Sequence, residues 1–365
     1  MSANKIALSV LAGLLLMTAC PLLRAQDGQF TREAVEHRFG TDPSFTHLPE
    51  TAVDTRDVPN IVLSESDPPD ALLPYFRIAP DTYMFFGNIA EVDEHNRGFN
   101  GNAGFVVTRD GVVVIDALGS PKLGNRMIAT IRSVTDKPIK YLIITHNHPD
   151  HAYGAIAFRR LGGVTIVAHE GQLGYINSDR IEHSVAYRKT FIAPDMEGFE
   201  PAQADVLIDG ERFSKRRLTL GDRTFDVYNV GQHHSYGDLV VHQVEDGIVW
   251  ISDLAFNQRV TFMADGHSKQ VIEGQDWLLE NFSDAKLMVP GHGSAQTPPF
   301  PMVAGTHSYV ERLRNTMGQA VEEGKGLQTA VDEGDFPDWR DVRLYDLNHR
   351  PNLNFVYREM ELEQF

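Results

Sequence analysis

A single cysteine, Cys20, stands in the 365 residues, so no internal disulfide can form. Positive charge is also in short supply. There are 33 Lys and Arg against 50 Asp and Glu, a formal net charge of -17. That argues against a nucleic-acid-binding surface, which wants a basic stripe. Anionic small substrates stay open, because bound metal ions can reverse a local field. Internal repeats and low-complexity tracts are absent. What is present is ordinary globular composition, 42% hydrophobic and 23% charged, enough for a sizeable core.

The first residues read as an export signal. Lys5 supplies a modest positive start, and Ile6 to Met17 is apolar but too short to span a bilayer comfortably. Two cuts compete. Leu23-Arg24-Ala25 before Gln26 places a small residue at the cut, which makes 1–25 a signal peptide. Met17-Thr18-Ala19-Cys20 resembles a lipoprotein box, with the signal ending before Cys20. The protein is therefore expected to be periplasmic or secreted, or a lipoprotein that contacts membrane only through a lipidated Cys20. Residues 26–77 are rich in Asp, Pro, Thr and Glu and read as a linker or arm, with one short helix near Thr31 to Phe39. His37 and His47 fall here and read as solvated.

The folded domain is expected over 78–300, followed by a helical extension over 301–365. Strand candidates at Thr82–Phe86, Phe105–Thr108 and Val112–Ile115 precede a helix at Pro121–Val134, where Leu123, Met127, Ile128 and Ile131 recur at helical spacing. Arg109-Asp110-Gly111 reads as a hairpin turn. A strand at Tyr141–Ile144, a helix around Tyr153–Leu161 and a strand at Val164–Ala168 complete an α/β pattern. Residues 172–203, with Arg180, His183, Arg188 and Lys189, look irregular and resemble an insertion or lid. Five more strand candidates run from Ala204 to Ser252. A helix at Gln275–Phe282, a strand at Lys286–Val289 and a helix at Val303–Glu323 follow. The tail, Asn352 to Glu363, fits strand or helix equally.

The stretch that carries chemistry is Thr145-His146-Asn147-His148-Pro149-Asp150-His151. It follows a short apolar run that reads as a buried strand. His146 and His148 are two apart, so in extended backbone they project the same way. Pro149 turns the chain, and Asp150 and His151 then point elsewhere. Three imidazoles and a carboxylate at a strand end suit zinc or iron. Three later strand ends also place ligand types: Gly231-Gln232-His233-His234-Ser235-Tyr236-Gly237-Asp238, Ser252-Asp253-Leu254 and Pro290-Gly291-His292-Gly293. Asp116 closes the strand Val112–Ile115 and reads as structural, bracing a neighbouring loop.

In this order, His146-x-His148-x-Asp150-His151, His234, Asp253 and His292 resemble the metallo-β-lactamase-fold hydrolases over roughly residues 78 to 300. The resemblance implies an α/β, αββα sandwich with metals at one edge of its two sheets. It also matches Asp116 to the family's structural aspartate. One metal would be held by His146, His148 and His234, the other by Asp150, His151 and His292, with Asp253 bridging. The Ser-x-Gly-Asp frame favours His234 over His233 as the ligand. His151 together with Asp253 looks more like the glyoxalase II and lactonase branches than like typical zinc β-lactamases. The export signal, Gly98 and Gly101, the lead-in Asp136 to Tyr141 and the tail Asn352…Tyr357-Arg358-Glu359 resemble exported zinc metallohydrolases associated with sulfur oxidation and quinoprotein systems.

What this implies is an exported hydrolase with two Zn2+ per chain. A metal-bound hydroxide would attack the carbonyl of a small-molecule ester, thioester, lactone or lactam. Asp150, His233 and Tyr236 are the catalytic candidates, with Tyr153 and His169 as further possible substrate contacts. Specificity is expected from 172–203 and from the loop after Asp253, with Phe256, Arg259, Phe262 and His267. The alternatives are β-lactamase activity on antibiotics and, in another class, a persulfide dioxygenase-like oxygenase with one iron on His146, His234 and Asp253. Nucleic-acid processing is disfavoured by the charge.

Overall fold

The computed structural model describes residues 60–364. The export signal, Cys20, His37, His47 and the helix expected near Thr31 lie outside the described residues. Two sheets carry the fold. The first has seven strands in sequence order: β1 (Phe76–Ala79), β2 (Thr82–Phe85), β3 (Ala103–Val107), β4 (Val112–Ile115), β5 (Ile139–Ile143), β6 (Thr165–His169) and β7 (Val206–Ile208). It is antiparallel from β1 to β4 and parallel from β4 to β7. The second has five strands in the order β12-β11-β10-β9-β8, formed by β8 (Lys215–Leu220), β9 (Arg223–Gly231), β10 (Asp238–Gln243), β11 (Ile248–Ser252) and β12 (Leu287–Pro290).

The side-chain period of two explains how the sheets pack. In β4, Val113 and Ile115 join an apolar layer shared with Phe225, Val227, Leu239 and Trp250 of the second sheet. Val112 and Val114 face the other way, toward Leu123, Met127 and Ile131. In β11, Ile248 and Trp250 point into the layer between the sheets, while Val249 and Ile251 meet Leu278 and Phe282. Strands buried on both faces read as continuous apolar runs, which is why these were visible in the sequence.

Helices cover both outer faces. On the first sheet lie α1 (Pro121–Val134), α2 (Pro149–Ala152) and α3 (Ala155–Leu161). Helix α1 starts where expected because Ser120 caps it, its hydroxyl accepting from the Leu123 N–H, and because Pro121 suits the first helical position. Its Met127 is fully buried, and truncation to alanine would cost roughly 2–5 kcal/mol. Then come α4 (Gln172–Ile176) and α5 (Asp179–Ile192). The second sheet is covered by α6 (Ser268–Phe282) and the start of α7 (Pro301–Glu322). The rest of α7 packs with α8 (Leu327–Glu333) and α9 (Tyr345–Glu363) around Tyr309, Leu313, Leu353 and Val356. Among the described residues no helix is long and apolar enough to cross a membrane.

Several expectations need correction. Most of the segment 172–203 is helical, in α4 and α5 and a 3-10 turn at Ala193–Met196: Ile181, Val185 and Ile192 recur at helical spacing, but Arg188 interrupts their stripe and hides it. The tail 352–363, left open between strand and helix, belongs to α9, with Pro351 inside the helix. Residues 60–75 are not a loose arm. Leu63 and Leu73 are buried, and Arg126 of α1 donates to the carbonyls of Ala71 and Leu72. Finally, β5 ends at Ile143, so His146 and His148 sit on a loop beyond the strand rather than on its extension.

Candidate metal centre

The carboxyl ends of β5, β9, β11 and β12 lie at one edge of the sandwich and bring the histidines and carboxylates together. One group is His146, His148, His234 and Asp253. The other is Asp150, His151 and His292. His148 Nδ1 lies 2.9 Å from His234 Nε2, and His151 Nε2 lies 3.4 Å from His292 Nε2. Asp253 stands between the groups. Its Oδ2 is 3.6 Å from His146 Nε2, 3.2 Å from His234 Nε2 and 3.4 Å from His292 Nε2, and its Oδ1 is 3.5 Å from His151 Nε2. Asp150 Oδ2 is 3.3 Å from His292 Nε2.

Ring nitrogens so close together need a proton or a cation between them. Two atoms have neither: among the described residues the buried His146 Nε2 and Asp253 Oδ1 find no hydrogen-bond partner. Buried polar atoms are normally satisfied, so this pair of orphans fits a centre built to take cations. The other side of the rings is tied down, as metal-binding imidazoles require. His151 Nδ1 is 2.9 Å from Asp116 Oδ2, and His292 Nδ1 is 2.8 Å from the Asn100 carbonyl. His148 Nε2 is 3.2 Å from Asp265 Oδ2. His146 Nδ1 lies 3.2 Å from Thr145 Oγ1 and 3.3 Å from Ser252 Oγ. Asp116 also accepts from the Thr145 N–H and hydroxyl, so it braces the loop.

Backbone clearance is equally specific. A Cβ on Gly291 would fall 1.9 Å from Asp253 Oδ1, and one on Gly101 would fall 2.7 Å from the Asp150 carbonyl. Both positions therefore exclude any side chain.

Electrostatics follow from burial and crowding. Burial and the neighbouring His151 hold His146 well below its ordinary value, so it is a neutral ring with a free lone pair. Burial alone would depress His151, but Asp253, Asp150 and Asp116 push it up to about 10. Burial alone would raise Asp150, but His151 and His292 hold it at about 2. A cation would displace the His151 proton and keep both carboxylates ionised.

Above this floor lies a cavity of about 640 Å³. His148, Asp150, His234, Asp253 and His292 form its base. Its roof is one face of α5: Arg180, His183, Ser184, Tyr187 and Arg188, spaced as neighbours on a helix surface. Arg259 and Phe262 from the loop after Asp253 line it too. The expected specificity segments thus meet at one opening.

Other candidates are elsewhere. The His233 ring is fully buried, with Nε2 3.2 Å from the Val271 carbonyl and Cδ2 against Gly274, and it does not line the cavity. Tyr236 packs edge-on against Tyr175 and does not line it either. The structure thus does not bring either of these catalytic candidates to the cavity: His233 is enclosed by packing and Tyr236 leans on Tyr175. Tyr153 bonds the Tyr175 hydroxyl, and His169 bonds Asn229. Phe256 stacks on His292, and His267 is half-exposed beside Glu359. Asp265 was missed by sequence reasoning. It lies in a loop with no pattern around it, 3.0 Å from Arg180 as well as against His148.

The Metallo-beta-lactamase superfamily model matches residues 96–292. The linear primary-alkylsulfatase of Pseudomonas sp. (strain ATCC 19151) is 39% identical over 49 residues, 13% of this chain but only 9% of that protein. The metallo-beta-lactamase type 2 of Bacillus sp. (strain 170) is 24% identical over 204 residues, 53% of this chain and 69% of that one. Among solved structures, the stereoselective inverting sec-alkylsulfatase Pisa1 from Pseudomonas sp. superposes with a TM-score of 0.60 at 16% identity, over 86% of this chain and 54% of that one. At that identity the likeness speaks for the fold.

Proposed function

The chain belongs to the metallo-beta-lactamase superfamily, and from that premise we propose that it is a binuclear zinc hydrolase acting on an ester, thioester, lactone or lactam. The observation that carries the reading is the convergence of seven ligand-type side chains around two buried atoms that lack partners. His146, His148 and His234 would hold one ion and Asp150, His151 and His292 the other, with Asp253 shared. Zinc bound there would lower the pKa of a coordinated water and polarise the group to be cleaved.

The chain's own side chains do the rest. Asp116, Asp265 and the Asn100 carbonyl fix the orientation of His151, His148 and His292. Asn100 Nδ2 donates to Asp150 Oδ2 at 3.2 Å, which holds that carboxylate toward the cavity. There Asp150, kept ionised by His151 and His292, can accept a hydrogen bond from a water molecule and orient it. The roof helix narrows the cavity and limits the water around a bound substrate.

Two metals are favoured over one iron because a second group, Asp150, His151 and His292, converges beside the first. The reading includes export, on the strength of Lys5 and the apolar run Ile6 to Met17. Mass-spectrometric metal analysis, paired with a screen of ester, thioester, lactone, β-lactam and sulfate-ester substrates, tests it. The expected result is two zinc ions per chain and hydrolysis that chelation abolishes. One iron per chain, or turnover indifferent to chelation, would overturn it.

A further inference from the structure

Four arginines are buried among the described residues: Arg97, Arg126, Arg188 and Arg259. Arg97 is paired with Asp195, and Arg126 with Asp67. Neither of these lines the cavity. Arg188 and Arg259 do line it, at 4% and 5% exposure, and neither has an ion-pair partner among the described residues. Burying a guanidinium without an anion is expensive, so its retention at a ligand-sized opening calls for an explanation.

The seat of Arg188 is built for its charge. Its Nε donates to the Gly119 carbonyl at 3.1 Å, and Nη2 lies 3.5 Å from the Gly98 carbonyl. A Cβ at Gly98 would come within 2.4 Å of Nη2, and one at Gly119 within 2.2 Å. Two carbonyl dipoles position a guanidinium but do not neutralise it. Arg259 lies over the Phe256 ring, 5.3 Å from its centre, and that ring stacks on His292. The carboxylates that share the cavity are otherwise engaged: Asp150 and Asp253 among the imidazoles, Asp265 with His148 and Arg180. Asp150 and Glu91, which also line the cavity, act on the Arg188 charge from beyond ion-pair distance.

We propose that Arg188 and Arg259 form an anion subsite in this cavity, receiving a carboxylate or sulfo group that the substrate carries beside the bond to be cut. This rests on the hydrolase reading and names its substrate class. Guanidinium forks suit planar oxyanions, which they can grip through two parallel bonds.

The test compares 4-nitrophenyl acetate, which is neutral, with 4-nitrophenyl hydrogen glutarate, which adds a free carboxylate to the same leaving group. It uses the wild type, Arg259→Gln and Arg188→Lys, each with zinc content and thermal midpoint measured. Calorimetric titration with 1-hexanesulfonate provides a readout without turnover. The wild type should favour the glutarate ester by roughly tenfold or more in kcat/KM. About 0.5 M NaCl should erode that preference. Arg259→Gln should lose most of it, the glutarate-to-acetate ratio falling toward one, and bind hexanesulfonate at least roughly tenfold more weakly. If Arg188→Lys fails to fold, Arg259→Gln decides alone. Equal loss on both esters, or hexanesulfonate affinity unchanged by Arg259→Gln, overturns the subsite. If neither ester is cleaved by zinc-loaded protein, the ester part of the hydrolase reading fails, and the hexanesulfonate titration still decides the subsite.

Discussion

The floor and the roof of the cavity are built on different plans. The floor is a set of loops at strand ends. Its rings are held from both sides, by the central cluster and by outer partners such as Asp116 and Asp265. The roof is one face of α5, and two of its side chains, Arg180 and Tyr187, are about half-exposed. Helix α5 is anchored from its other side, where Ile181 and Ile192 pack with Val92, Tyr153 and Tyr175. A floor so tightly bonded leaves little freedom to vary, because every ring position depends on several others. The roof can change its cavity-facing residues while its apolar stripe keeps the helix in place. Reaction type is thus expected to reside in the floor and substrate choice in the roof.

Four substitutions sharpen that contrast or break it, from the largest effect to the smallest. Asp253→Ala removes the carboxylate that both groups share. Metal content should fall below two per chain and activity by more than the roughly 100-fold cost typical of an outer partner, read by mass spectrometry and steady-state kinetics. Asp265→Asn keeps the ligand set but weakens the hold on His148. About 10–100-fold lower metal affinity is expected, seen in a competitive chelator titration. Should it match Asp253→Ala in every readout, floor and outer support would be one unit.

Tyr187→Ala belongs to the roof. KM should rise by a fewfold, roughly what loss of partial side-chain burial gives, with metal content and kcat unchanged. A collapse of metal content would show that the roof sustains the floor. His233→Leu tests a residue next to the ligand His234 in sequence but turned away from the cavity. Turnover should stay within about twofold, while denaturant unfolding shows a loss of about 1–3 kcal/mol from the broken bond to the Val271 carbonyl. A loss of kcat without a loss of stability would restore His233 to the chemistry.

The two regions also differ in how readable they were. The floor announced itself because metal chemistry demands scarce residue types at short, fixed spacing. His146, His148, Asp150 and His151 lie within one short stretch, and His234, Asp253 and His292 each follow an apolar run that ends at a turn. The β4 and β11 runs were legible for the related reason that both faces are buried. The roof was not. In α5 the inward stripe includes a charged residue, Arg188, and the cavity face is polar, so the apolar period that marks an amphipathic helix is broken. Asp265 had no signal at all, since its partners His148 and Arg180 are remote in sequence and only the folded chain brings them to it.

The sequence by itself determined the α/β architecture, the ligand-type residues at the strand ends and the bracing role of Asp116, while the family resemblance chose His234 over His233. Each depends on local pattern: burial period, residue chemistry and turn placement. Only the tertiary structure decided that His233 and Tyr236 pack away from the cavity, that α5 forms its roof, and that two of the four arginines buried among the described residues line it without an ion pair. Those outcomes depend on which distant surfaces meet, and spacing along the chain carries no record of that.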